Sequence, residues 1–77
     1  MNKRRTKVTN RIKHLRAESG QMTQAELAEK IGVTRQTVIA IEGGKYSPSL
    51  EMAFEIAHAL DRPLDEVFGF GRGSPDP

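Results

Sequence analysis

Apolar residues recur along this chain in short groups at helical spacing, and each group ends at a residue that stops a helix. Val8, Ile12 and Leu15 share one face and predict a first helix from about Val8 to Glu18, ended by Ser19-Gly20. Thr23-Gln24-Ala25-Glu26 fits a capping box, in which Thr23 accepts from the Glu26 amide and the Glu26 side chain reaches back. Leu27, Ala28 and Ile31 then form the stripe of a second helix, and Gly32 stops it with a backbone that tolerates the left-handed region. Thr34 caps a third helix through about Glu42, with Val38 and Ile41 inward and Gly43-Gly44 as its end. After the turn Tyr46-Ser47-Pro48, Ser49 caps a fourth helix running to Leu60. Its predicted inward residues are Leu50, Ala53, Phe54, Ala57 and Leu60. Asp61-Arg62-Pro63 interrupts the chain, and Leu64 to Phe68 predicts a last short helix with Asp65 and Glu66 in its first turn. Residues 69–77 have no apolar period, and most of them read as a frayed tail whose start is a candidate dimer contact.

Composition narrows what such a bundle can be. A chain of 77 residues makes one domain and has no cysteine, so neither a disulfide nor a thiolate metal site can staple it. A chain this short buries only about 60–65% of its unfolded surface, so stability must come from close helix packing or from a partner subunit. Charge is unevenly placed. Residues 1–16 carry seven cations (Lys3, Arg4, Arg5, Lys7, Arg11, Lys13, Arg16) and no carboxylate, while the remainder carries all ten acids. A basic end on a mildly acidic body is a footprint for nucleic acid, although it also fits a solubilising arm. These features divide the chain into a basic flexible arm at 1–7, a folded domain at 8–68 and a tail at 69–77. With no stretch suited to a bilayer or a signal peptide, a soluble cytoplasmic protein is expected.

Enzyme chemistry finds no support in the residues. His14 and His58 fall on different helices without the carboxylate spacing of a metal site or triad. Gly69-Phe70-Gly71-Arg72-Gly73 follows no predicted strand and opens no predicted helix, so it is not a phosphate loop. No catalytic residue, metal ligand, cofactor or small-molecule pocket is expected.

The stretch from Gln24 to Glu42 is the informative one. Two short helices joined only by Gly32-Val33-Thr34 cannot lie antiparallel and must cross steeply. Ala28 gives the small residue that a close crossing needs, Gly32 gives the bend, and Ile31, Val33, Val38 and Ile41 join the pair from beneath. The third helix is then left to point Arg35, Gln36, Ile39 and Ala40 outward. The run from Gln24 to Val38, followed by Ile41-Glu42, resembles the Cro/CI-type (XRE-like) helix-turn-helix family of phage and bacterial repressors. The likeness extends over about residues 10–68. Gly44-Lys45-Tyr46-Ser47-Pro48-Ser49-Leu50 and Pro63-Leu64-Asp65-Glu66-Val67-Phe68 are similar to a subset of very small stand-alone regulators, commonly homodimers. The turn Ser19-Gly20-Gln21-Met22 is a residue longer than in some phage repressors.

This resemblance implies an all-α fold, a compact five-helix lambda-repressor-like domain with the helix-turn-helix at helices 2 and 3. It also implies that the third helix enters the major groove of double-stranded DNA, as helix-turn-helix phage repressors do. Arg35 offers a planar fork for guanine O6/N7 and Gln36 can pair bidentately with adenine. Thr37 and Ala40 allow close approach or touch a thymine methyl, and Ile39 either packs on a base methyl or lies across neighbouring helix surface. The implied phosphate contacts are Gln24, Thr23, Thr34 and Lys45, with Arg4 and Arg5 from the arm. Arg16 and Glu42 match positions that form a semi-buried ion pair between the first and third helices. Val67, Phe68 and Phe70 are candidates for a subunit interface, with Met52 and Leu64 nearby, although Phe68 equally suits the monomer core. The resulting expectation is a nucleoid-associated transcriptional repressor. The competing expectation is a protein-interaction module of the same fold, such as an antitoxin or co-regulator.

Overall fold

The computed structural model describes residues 6–70, and the expected contacts of Arg4 and Arg5 lie outside them. The elements run β1 (Val8–Asn10), α1 (Ile12–Glu18), α2 (Gln24–Ile31), α3 (Arg35–Glu42), α4 (Leu50–Leu60), α5 (Leu64–Val67) and β2 (Phe68–Phe70). Helices α2, α3 and α4 form where side-chain caps place them. Thr23 and Glu26 complete the reciprocal capping box of α2, and Gly32 closes that helix at φ 75°, ψ 33°. Thr34 accepts from the Thr37 amide to start α3, and Ser49 accepts from the Met52 amide to start α4. No helix of the described residues is long and apolar enough to cross a membrane.

One continuous core joins the helices. Leu27 and Ala28 of α2, Val38 and Ile41 of α3, and Ile56, Ala57 and Leu60 of α4 pack with Ile12, Leu15 and Val67. Each aliphatic side chain hidden this fully contributes about 1.5–3 kcal/mol relative to exposure, which is what a chain without cross-links must rely on.

The ends of the fold depart from an all-helical reading. Residues 8–10 do not extend α1 upstream; they form a strand that pairs antiparallel with Phe68–Phe70, Val8 opposite Phe70 and Asn10 opposite Phe68. The helical spacing of Val8 to Ile12 is coincidental. Asn10 Oδ1 accepts from the Ile12 amide at 3.1 Å, so the helix begins only after Asn10 and the β-branched Val8 and Thr9 remain extended. Gly69 and Phe70 therefore belong to the folded body rather than to a frayed tail. A Cβ at Gly69 would stand 2.9 Å from Thr9 Oγ1, which explains a glycine in so short a strand.

The inward face of α4 is also rotated from expectation. Its buried residues are Ala53, Ile56, Ala57 and Leu60, whereas Leu50 is 67% and Phe54 53% exposed. At about 100° per residue these four form one arc centred near Ala53 and Leu60, and Phe54 falls about 110° round the helix from that centre.

Candidate nucleic-acid interface

The outward surface of α3 is built by using its inner side and both ends for folding. Val38 and Ile41 are buried, and the first turn contains no acid. At the N-terminal end, Thr34 Oγ1 accepts from the Thr37 amide at 3.2 Å and lies 3.1 Å from Thr37 Oγ1. That engages the Thr37 hydroxyl with the cap and leaves Thr37 half-buried. Arg35 and Gln36 are exposed, Ile39 is 37% exposed and Ala40 is half-buried. Ile39 therefore presents apolar surface to solvent on the same side as Arg35 and Gln36.

At the other end of α3, Glu42 gathers three parts of the chain. The Arg16 guanidinium of α1 reaches it in a two-pronged pair, Nε to Oε2 at 2.6 Å and Nη2 to Oε1 at 3.2 Å. The same arginine donates from Nη1 to the Met22 carbonyl at 2.8 Å. Gln24 Nε2, from the first turn of α2, donates to Glu42 Oε1 at 3.1 Å. With side-chain exposures of 13% and 9%, Arg16 and Glu42 are largely removed from water, so the fork geometry and the extra hydrogen bonds are what make the pair tolerable.

These contacts tie the first turn of α2 to the C-terminal end of α3. Lys13, Arg16, Thr23, Gln24 and Arg35 line one open cleft. Thr23 itself is exposed, its hydroxyl accepting from Glu26 while its own amide donates to Glu26 Oε1 at 2.8 Å. A helix N-terminus presents free amide donors and the positive end of the dipole, so the head of α2, with Lys13 and Arg35 lining the same cleft, suits an anion. Lys45 follows the left-handed Gly44 in the turn after α3, exposed, with its amide bonded to the Ala40 carbonyl at 3.0 Å. Thr6 donates its amide to the Gly44 carbonyl at 3.3 Å, so the basic N-terminal segment joins the body at the turn that carries Lys45.

The C-terminal candidates separate. Val67 has no exposed surface and sits in the core, so it is withdrawn from the subunit-interface set. Phe68 is half-buried against that core, and Phe70 is 74% exposed. Val8, Leu50, Leu64, Phe68 and Phe70 share one apolar groove.

One residue that joins this site was not anticipated. Asn10 donates from Nδ2 to the Ile41 carbonyl at 3.0 Å, across the chain from β1 to the last turn of α3. An asparagine just ahead of an apolar helical run signals a cap, but nothing in the spacing announces its second bond.

Comparison with known proteins agrees with this geometry. Residues 12–67 match the helix-turn-helix family. An uncharacterized HTH-type transcriptional regulator of Methanocaldococcus jannaschii is 49% identical over 59 residues, 77% of this chain and 88% of that protein. A similarly named regulator of Methanothermobacter thermautotrophicus is 55% identical over 58 residues, 74% of this chain and 83% of the relative. The immunity repressor of Bacillus phage phi105 is 37% identical over 62 residues, 80% of this chain but 42% of the repressor. The crystal structure of a candidate DNA-binding protein from Bacteroides fragilis superposes with a TM-score of 0.73 at 32% identity, covering 80% of this chain and 98% of that one. The chain belongs to the helix-turn-helix family of transcriptional regulators, of the Cro/CI (XRE-like) type.

Proposed function

We propose that this protein is a sequence-specific reader of double-stranded DNA that represses transcription as a homodimer on a palindromic operator. The observation that carries the reading is the outer side of α3: Arg35 and Gln36 stand free of the fold, with no acid in that first turn, beside the N-terminus of α2. In this reading α3 lies in the major groove with Arg35 on guanine and Gln36 on adenine, each bidentate pair discriminating by about 1–3 kcal/mol. Ile39, Ala40 and the methyl of Thr37 make apolar contact with thymine methyls. Thr23, Gln24, Thr34 and Lys45 hold phosphates on either side, and Arg4 and Arg5 extend that contact from the arm. Gln24 is held by Glu42 in a fixed pose, which suits a phosphate clamp. The two-fold brings Phe70, Phe68 and Leu64 of each subunit together, since the exposed aromatic at the end of β2 has no intramolecular core to join.

Selection of bound duplexes from a random pool, run in parallel on the wild type and on Arg35→Ala, tests this. An inverted repeat with half-sites about 10 bp apart is expected for the wild type, with one base position relaxed in the variant. Absence of any enriched sequence at moderate salt would overturn it.

A second reading, docking to another protein, has one specific feature in its favour. Ile31, Leu50 and Phe54 form an open apolar groove between α2 and α4, with Glu51 and Glu55 beside it. Lys30 and His58 also line this groove, so its charge is mixed, but its apolar surface suits a protein partner, and this becomes the leading interpretation if no duplex is enriched.

A further inference from the structure

The Asn10 side chain spans two helices. Its Oδ1 accepts from the Ile12 amide at 3.1 Å, at the start of α1, and its Nδ2 donates to the Ile41 carbonyl at 3.0 Å. The two bonds settle the orientation of the amide, because only its oxygen can accept and only its nitrogen can donate. Ile41 lies in the last turn of α3, where helix carbonyls run out of intrahelical donors, and its oxygen is otherwise met by the Gly44 amide at 3.1 Å. Four positions upstream, Thr6 donates to the Gly44 carbonyl at 3.3 Å. Residues 6–10 thus strap the end of α3 and the Lys45 turn at two points. The other edge of the same strand is paired to β2, Asn10 with Phe68 and Val8 with Phe70.

We infer that Asn10 is a positioning residue for DNA binding: through the Ile41 carbonyl it sets where the C-terminal end of α3 and Lys45 stand relative to the duplex. The inference rests on the DNA reading above. A helix of eight residues has little more than two turns, so a shift at one end is felt along the whole of it. The N-terminal end is fixed by Thr34, and the C-terminal end depends on Glu42 and on Asn10. Because β1 also holds β2, Asn10 connects the placement of α3 to the strand that ends in Phe70.

Asn10→Asp keeps an acceptor for the Ile12 amide but loses the donor to Ile41, and Asn10→Ser keeps a shorter acceptor that cannot reach Ile41. Both are tested in the full chain, on the duplex enriched by the wild type, well below the melting midpoint. Loss of one such hydrogen bond converts to about a five- to tenfold weaker affinity. Lys45→Ala should cost less in either variant than in the wild type, because a misplaced turn has already weakened that contact. A role confined to stability predicts wild-type affinity for the folded variants and an unchanged Lys45→Ala effect, and that result overturns the inference. If the Asp variant does not fold, the Ser variant decides. Amide hydrogen exchange in the free protein separates the inference from the DNA reading. Faster exchange at Gly44 and Lys45, with α2 unchanged, is expected even if no duplex is bound, and unaltered exchange there refutes the positioning role.

Discussion

Glu42 carries more of this site than any other side chain that never faces outward. It is bonded by Arg16 and Gln24, so it decides both how α1 meets α3 and how the head of α2 is held. Truncating one member of a mostly buried pair strands the other, a loss of about 3–5 kcal/mol. Arg16→Ala and Glu42→Ala should therefore both lower the thermal midpoint strongly. Arg16→Ala should additionally depress DNA affinity in the fraction that stays folded, since it leaves the Glu42 carboxylate without its countercharge beside the proposed phosphate contacts. Calorimetry and binding on the same samples separate the two effects. Lys45 is the opposite case, exposed and bonded to the body only through its backbone. Lys45→Ala should leave stability within about 0.5 kcal/mol, weaken all duplexes alike and reduce the slope of log affinity against log salt by about 1. A loss confined to one base position would place Lys45 in the groove instead.

At the level of elements, what could be read from the sequence was what short-range chemistry decides. The capping box at Thr23 and Glu26, the Thr34 cap, Gly32 and the spacing of Leu27, Ala28, Val38 and Ile41 all act within a turn or two, and the structure forms α2 and α3 on them. The strand pair was not legible, because β1 and β2 have three residues each and find each other only across the folded chain. Val8 also happens to fall on the helical period of Ile12 and Leu15. The inward face of α4 was misplaced for a related reason. Whether Phe54 or Ile56 is covered depends on where α2 and α5 lie, which periodicity within α4 alone cannot say. Of the proposed contact residues, those on α3 were visible because the fold uses the other side of that helix, whereas the long-range bond of Asn10 left no mark in the spacing. Thr34→Ala tests the element most directly. Loss of the cap should cost about 1 kcal/mol and fray the turn that carries Arg35 and Gln36. Specific affinity should therefore fall by more than binding to random duplex, which loses only the proposed Thr34 phosphate contact.

For the whole molecule, the distribution of charge and apolar surface assigns its faces. Cations gather at the α2 and α3 N-termini and at the Lys45 turn, while Leu50, Leu64, Phe68 and Phe70 present apolar surface on another side. Phe70 is 74% exposed, so Phe70→Glu should leave the thermal midpoint of the monomer nearly unchanged. The same change should abolish self-association in sedimentation experiments and reduce binding to a two-half-site duplex to the level of a single half-site. Retention of a dimer would move the two-fold to the groove between α2 and α4.

The division of labour within α3 has a consequence for how such a protein can change over time. Its folding duties fall on Thr34, Val38, Ile41 and Glu42, and none of these is among the outermost positions 35, 36 and 39. Substitutions at those three sites therefore spend little of a thin stability margin, since exposed positions away from caps and core are usually close to neutral. If the outer side of α3 reads DNA as proposed, a duplicated copy is free to drift toward a different target sequence without first acquiring compensating mutations elsewhere. The same scaffold can in this way diversify into many regulators by altering a few side chains, each step remaining foldable.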